Sequence, residues 1–306
     1  MLSFDFVPDS ARNGCISIGN FDGVHRGHRI MLDSLVVLAR QVRTHTVAVT
    51  FHPHPVAVLR PDFAPPILTD IPERIRLLKQ AGMDHVVVLP VTSELMAMSA
   101  RQFFDSFVVN QLQARGMTEG VNFRFGRNRL AGTSELQQMC DAADIRLQLT
   151  DIVTTESFEI SSSRIRKLLV HGQIAEACTL LGHPYTISGV VSAGAGRGTG
   201  IGFPTANLER IPTLVPSAGV YAGLTTINGT NYVVAVHIGP NPTFADGRHK
   251  VECHIDQFTG SLYGTELSVQ LIAEVRTLQS FASPAELVAQ IEVDVQSCRR
   301  IVSPYL

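Results

Sequence analysis

The sequence predicts two domains of different class: an α/β domain on a parallel sheet, then a compact antiparallel barrel or sandwich closed by one helix. Three observations predict this. In the first half, β-branched runs alternate with helical ones, the pattern of parallel strands joined by crossover helices. Around residue 183 the helical signals nearly vanish, and strand-like runs follow one another across Gly, Pro and Asn turns. The chain then closes on a single helix with strong start signals.

Taken in order, "CISIG" (15–19) reads as a short buried strand, and "HRIMLDSLVVLARQ" (28–41) has the length and apolar spacing of a helix. "TVAVTF" (46–51) is a β-branched strand, and "IPERIRLLKQAG" (71–82) is a helix with Pro72 near its start and Gly82 at its stop. "HVVVLPV" (85–91) is a strand, and "SARQFFDSFVVNQL" (99–112) is a helix for which Ser99 is the N-cap. "MTEGVNF" (117–123) and "IRLQLT" (145–150) complete the strands of the first half. Their apolar runs lack strict alternation, which fits strands covered on both faces.

"SRIRKLLVHGQIAEACTLLG" (163–182) reads as two short helices around Gly172. Five strand-like runs follow: "TISGVVSAG", "GVYAGLTTING", "TNYVVAVHIG", "KVECHIDQF" and "ELSVQLIAEV". "TTINGTNYVV" is a hairpin turning near Asn228–Gly229. In "SPAELVAQIEVDVQ", Ser283, Pro284 and Glu286 form a capping box with Pro at the first helical position, and Leu287, Ile291 and Val295 share one apolar face. The domains therefore run over 1–182 and 183–306.

Composition narrows the function classes. With 306 residues, 45% hydrophobic and 17% charged, the chain supports two packed cores and is not disordered. A net charge of −2 leaves no electrostatic footprint for nucleic acid or an acidic membrane surface. No apolar run approaches the roughly 18 residues of a spanning helix, and "MLSFDFVPDS" lacks the basic start of a secretory signal. Cys15, Cys140, Cys178, Cys253 and Cys298 are scattered, odd in number and form no C-x-x-C, so they read as reduced core thiols of a cytoplasmic protein. No coiled-coil heptads or long apolar edge strand appear, so a monomer or weak homo-oligomer is expected, with small-molecule partners.

Two stretches carry chemistry. "GNFDGVHRGH" (19–28) lies between a strand and a helix, at the carboxyl end of a parallel strand, where open α/β sheets bind ligands. Gly19, Gly23 and Gly27 let backbone approach a phosphate, the helix start near His28 offers unpaired N–H groups, and His25 and His28 can each donate a hydrogen bond to phosphate oxygen. "TFHPHP" (50–55) ends the next strand at the same edge. "ISSSRIR" (160–166) brings hydroxyls, amides and guanidiniums suited to a triphosphate. In the second half, "GAGRGTGIGFPTANL" (194–208) has five glycines within 194–202, a phosphate-cradling loop without the G-K-[ST] of a Walker loop. Thr205 and Asn207 stand two apart on an extended segment and so share a face, placing two hard oxygen ligands for one Mg²⁺.

"GNFDGVHRGH", "TFHPHP", "GVNFRFG" and "ISSSRIR", in this order, resemble the adenylyltransferase module of bifunctional riboflavin kinase/FAD synthetases, itself similar to nucleotidylyl transferases with an H-x-G-H site on a Rossmann-like sheet. "GIGFPTANL", "GVYAG", "IGPNPTF", "VECHIDQF" and "LYGTEL" resemble successive motifs of the riboflavin kinase module, a small antiparallel β-barrel. The resemblance runs from about residue 13 to about residue 300. It implies a Rossmann-like nucleotidyltransferase domain followed by a barrel with a C-terminal helix. It implies two reactions: riboflavin and ATP give FMN in the second domain, and FMN and ATP give FAD and pyrophosphate in the first, each with Mg²⁺.

By this resemblance His25 and His28 stabilise the ATP phosphates and the transition state, and Gly19, Phe21, Asp22, Gly27 and His54 belong to the same nucleotide site. Ser162, Ser163 and Arg166 hold the pyrophosphate, Asn122 lies near the reacting phosphates, and Phe125 is either a flavin-stacking ring or a core aromatic. In the kinase module Gly194, Arg197, Gly202 and Pro204 line the nucleotide, Thr205 and Asn207 hold the metal, and Glu252 is the base on the ribityl 5′-hydroxyl. The chain departs from the family pattern at Thr199, where a basic residue is usual, at Thr133, where aspartate is usual, and at His52, more often acidic or Asn. Two other readings compete: a chain in which one activity alone survives, and a flavin-binding regulatory protein without turnover. The second predicts loss of His25, His28, Asn207 or Glu252, and all four are present.

Overall fold

The computed structural model describes residues 7–151, 154–155, 158–192, 200, 202–241 and 246–306. Gly194, Arg197 and Thr199 lie outside the described residues. Packing separates two compact units, one of Met1–Pro65 with Thr69–Ser161, the other of Pro66–Leu68 with Ser162–Leu306.

The first unit is built on five parallel strands: β1 (Cys15–Ile18), β2 (Thr46–His52), β3 (His85–Pro90), β4 (Gly116–Gly120) and β5 (Arg146–Thr150). Their order is β3-β2-β1-β4-β5. Between them run α1 (Arg26–Val42), α2 (Pro55–Leu59), α3 (Ile71–Gln80), α4 (Ser93–Ala97), α5 (Ala100–Phe103) and α6 (Thr133–Ala142). Period-two alternation sends Ile16, Ile18, Val47 and Val49 into a core with Phe103, Phe107 and Leu136. Cys15 and Ala48 go to the opposite face, against Leu32, Leu35, Leu38 and Leu78. Both faces are covered, which is why these strands read as unbroken apolar runs.

Several boundaries move. The helix expected from His28 begins at Arg26, because His25 caps it. The helix capped by Ser99 opens α-helical, with its capping box completed by Gln102, and continues as a π-helix over Phe104–Gln111. The strand expected to reach 123 ends at Gly120. Two short strands, β6 (Thr154–Thr155) and β7 (Phe158–Glu159), pair antiparallel.

The second unit is a closed antiparallel barrel in the order β10-β11-β12-β9-β8-β13. Its strands are β8 (Tyr185–Ser192), β9 (Ala206–Glu209), β10 (Gly219–Ile227), β11 (Thr230–Asn241), β12 (Asp246–Ile255) and β13 (Glu266–Arg276). Closure settles the barrel-or-sandwich alternative. The strand missing from the sequence reading is β9, too short to show a pattern. The Asn228–Gly229 hairpin is as expected: Ile227 pairs with Thr230, and both turn residues have positive φ, 51° and 79°. Tyr221, Val234, Val236, Val251, Cys253 and Val269 are buried on the inward alternation. On the outside Ala222, Leu224, Val233 and Ile272 pack under Cys298 and Val302 of the closing helix α9 (Pro284–Val302). Ser283 caps α9 by accepting from Glu286 N–H, while the Glu286 carboxylate reaches Ala282 N–H rather than the cap's own amide.

Helices α7 (Ser162–Val170) and α8 (Ile174–Leu181) form the expected pair around Gly172, and by packing they belong with the barrel. Cys178 Sγ donates to Leu271 O, and Ser217 N–H donates to Leu169 O. The sequence division at 182/183 therefore follows the change in periodicity rather than the packing. All five cysteines are free, and burial pushes the thiols of Cys140, Cys253 and Cys298 up to about 12. No described helix is long and apolar enough to cross a membrane.

Candidate active sites

The H-x-G-H spacing is a helix-capping geometry. His25 is the N-cap of α1, and its Nδ1 accepts from the His28 amide at 3.3 Å. That acceptor role places the proton of a neutral His25 on Nε2. The His25 and His28 rings stack with centroids 3.7 Å apart. A β-carbon on Gly27 would stand 3.2 Å from the His25 ring, so the glycine leaves room for the ring over the first turn. Burial, then the charges of His25 and Arg74, hold the His28 imidazole well below its ordinary range. His28 is thus a neutral donor at pH 7, and His28 Nδ1 is buried without a hydrogen-bond partner among the described residues.

The loop ahead of α1 is strained and locked. Phe21 and Val24 have φ of 46° and 39°, a region costly for a β-branched residue, and both are buried. Asp22 is buried beneath them. Its Oδ1 accepts from Thr69 N–H at 3.0 Å, from Thr69 Oγ1–H at 3.2 Å and from Arg74 Nη2 at 3.3 Å. Thr69 Oγ1 in turn accepts from Gly23 N–H. Arg74 also reaches Thr50 Oγ1 and Phe51 O at the end of β2. Asp22 therefore shapes the loop from below. Thr69 and Arg74 escaped the sequence reading, although an arginine on the apolar side of the 71–82 helix was the available signal.

"TFHPHP" reaches the same site. His54 caps α2 by accepting from Val56 N–H, and its Nε2 lies 3.1 Å from the Asn20 side-chain amide. Asn20 Oδ1 is buried without a hydrogen-bond partner among the described residues. Gly19 N–H donates to Val49 O, so the loop leaves β1 still joined to β2. His52 is exposed at the end of β2, and Thr133 is the first residue of α6. Asn122 is exposed just past β4. Phe125 is buried in the core, 8% exposed, with the half-buried Phe123 stacked on it. Of the two readings of Phe125, burial favours the core aromatic.

Ser162 opens α7, Ser163 is exposed, and Arg166 Nε–H donates to Pro66 O at 2.7 Å. These three residues pack with the second unit, although Ser162 follows directly on the last residue of the first.

On the barrel, register builds the second site. Glu252 stands opposite His237 on one side and Asn207 on the other, and Asn207 stands opposite Ser192. Val251 and Cys253 are buried inward, so the row Ser192–Asn207–Glu252–His237 lies on the barrel's outer face. Glu252 Oε2 is 4.0 Å from His237 Nδ1. Asn207 is 9% exposed, and Ser192 Oγ is buried without a hydrogen-bond partner among the described residues. Hydroxyl, amide and carboxylate oxygens side by side are the donor set of a hard cation. Thr205 lies two residues ahead of Asn207 and is half-buried. Gly202 has φ of 86°, a turn favouring glycine. His254, unnoticed in the sequence, contacts Pro204 O through Nδ1 at 2.9 Å and packs edge-on against Phe203. It ties the segment carrying Thr205 and Asn207 to β12.

The comparisons match two modules in order along the chain. A family model for FAD synthetase matches residues 7–164 and one for riboflavin kinase matches residues 181–302. A bifunctional riboflavin kinase/FMN adenylyltransferase of Escherichia coli is 35% identical, covering 96% of this chain and 94% of its own. The protein of that name from Bacillus subtilis is 31% identical, covering 97% and 95%. A solved structure from Streptococcus pneumoniae, described as a macrolide-efflux protein, matches at 29% identity with a TM-score of 0.84 over 94% of each chain. Two modules matched in order, and relatives aligned along nearly the full length, make this chain a member of the bifunctional riboflavin kinase/FMN adenylyltransferase family.

Proposed function

We infer that the chain makes FAD from riboflavin in two ATP-dependent steps, one on each module. The observation that carries this is the pairing of the His25–His28 cap geometry with the Asn207–Glu252 row in a chain matched by both family models.

In the kinase module, residues 183–306, the ribityl 5′-hydroxyl of riboflavin attacks the γ-phosphorus of ATP. A hydroxyl must lose its proton, and Glu252 is the base that takes it. The products are FMN and ADP. Gly194, Arg197, Gly202 and Pro204 belong to the nucleotide loop. Thr205 and Asn207 would hold Mg²⁺, whose contribution is to offset phosphate charge.

In the adenylylation module, residues 1–182, an FMN phosphate oxygen attacks the α-phosphorus of ATP, and the bond to the β-phosphate breaks. The nucleophile is already ionised at pH 7, so positioning and charge neutralisation carry the rate. His25 and His28 donate to the nucleotide phosphates, with Gly19, Phe21, Asp22, Gly27 and His54 shaping the site. Ser162, Ser163 and Arg166 receive the leaving pyrophosphate, and Asn122 stands by the reacting phosphates. The protein works as a cytoplasmic monomer or weak homo-oligomer on small molecules, without nucleic acid or membrane.

The test is incubation with riboflavin, ATP and Mg²⁺, separating flavins over time, beside a tube started from FMN. FMN that appears and then converts to FAD is the expected result. FAD in the FMN tube alone means that the kinase module is silent, with Thr199 the first suspect. Flavin binding without turnover in either tube would replace this reading with the regulatory one.

A further inference from the structure

The strand order β3-β2-β1-β4-β5 reverses between β1 and β4, and open α/β sheets bind their ligands outside the carboxyl ends at such a point. There the two strands part early. Their pairing ends at Ile16 with Met117, whereas β4 stays paired with β5 out to Gly120 with Thr150. Cys15 and Gly19 give their N–H groups toward β2, so Ile18 aims its own at β4. The β1–β4 pairing no longer reaches it there. The Ile18 amide donates to Oε1 of the Glu119 side chain at 2.8 Å. Glu119 is 1% exposed. One position beyond the last paired residues, Ser17 Oγ and Thr118 Oγ1 are both buried without a hydrogen-bond partner among the described residues. Gly19 and Asn20 follow Ile18 directly.

We propose that Glu119 is a positioning residue for adenylyl transfer: its side chain replaces a ladder carbonyl, holds β1 apart from β4 and sets the Ile18–Asn20 backbone at the nucleotide crevice. Glu119 takes no direct part in the adenylylation steps, and the inference rests on that adenylylation reading. Burial drives the carboxyl well above its ordinary range against the pull of the Ile18 hydrogen bond; this favours the proton-bearing form and disfavours charge beneath the triphosphate. Glutamine keeps both the shape and the acceptor. Methionine keeps the size without the acceptor, and aspartate draws the acceptor back by one methylene.

The full chain supplies its own control, since riboflavin phosphorylation reports on the other module. In Glu119→Gln the KM for ATP in FAD formation from FMN should stay within about twofold of wild type. In Glu119→Met and Glu119→Asp it should rise about tenfold or more, a loss within the range that ångström-scale misplacement causes, with kcat changing less and kinase rates unchanged. Should Glu119→Met not fold, Glu119→Asp decides. Wild-type KM in the acceptor-lacking or shortened variant overturns the proposal, as does a Glu119→Gln variant no better than Glu119→Met. Wild-type protein that phosphorylates riboflavin but makes no FAD from FMN overturns the adenylylation reading itself, and the proposal with it.

Discussion

His25 and His28 are joined twice: the His25 ring accepts the His28 amide at 3.3 Å, and the two imidazoles stack at 3.7 Å. The residue that caps the helix is thus the same one that supports its neighbour's ring. His28→Ala should cost FAD formation about 100-fold or more, the size of losing one preorganised donor, while riboflavin phosphorylation stays unchanged. His25→Ala should lose a comparable rate and, in addition, about 1 kcal/mol of stability with the cap. Steady-state kinetics of both reactions and thermal melts of both variants separate the two roles.

Glu252 faces the opposite test. Glu252→Gln should abolish most phosphorylation of riboflavin, a loss of about 100-fold or more for a general base, yet leave FAD formation from FMN intact. A variant that still phosphorylates at the wild-type rate removes Glu252 as the base.

His254 contacts the Pro204 carbonyl at 2.9 Å, just ahead of Thr205 and Asn207. His254→Ala should raise the KM for ATP in the kinase reaction several-fold with a smaller change in kcat. Asparagine can imitate the Nδ1 donor, so His254→Asn should recover much of the loss. Equal damage in both variants would mean that the ring's packing on Phe203, not its hydrogen bond, is what matters.

Arg74 and Asp22 form an ion pair with both side chains at most 5% exposed. Removing one partner strands the other, so Arg74→Ala should destabilise the first unit by about 3–5 kcal/mol. Denaturant titration of FAD-forming activity should show this, with kinase activity persisting at concentrations where adenylylation is gone.

Glu119 gives a pH dependence of stability. Its carboxyl titrates in the fold well above the ordinary 4.5, so the folded state binds this proton more tightly than the unfolded chain. The resulting stability is fully present below pH 4.5 and is lost as pH rises from there toward the folded value. Glu119→Gln cannot ionise. It should match wild type near the acid end and become the more stable protein at neutral pH, as denaturant midpoints measured across the range will show.

Much of this was legible in the chain itself. The H-x-G-H run was legible as a loop between a strand and a helix, although the helix was expected from His28 and the His25 cap emerged only in the fold. Asn228–Gly229 announced its own turn, and period two placed Glu252 opposite in face to Val251 and Cys253. These features depend on sterics and periodicity within a few residues.

Other features depend on partners that no local pattern names. β9 becomes a strand through its pairing with β8 and β12, which sets Asn207 beside Glu252, and the β11–β12 register sets Glu252 beside His237. Arg74 finds Asp22 across 52 positions, and Glu119 finds the Ile18 amide across 101. The helices over 162–181 read as part of the first domain until their packing joined them to the barrel. The sequence by itself determined the two fold classes, because periodicity and capping are written in neighbouring residues. Only the tertiary structure decided which buried polar groups meet, because register and the satisfaction of buried hydrogen bonds are settled by chain segments far apart.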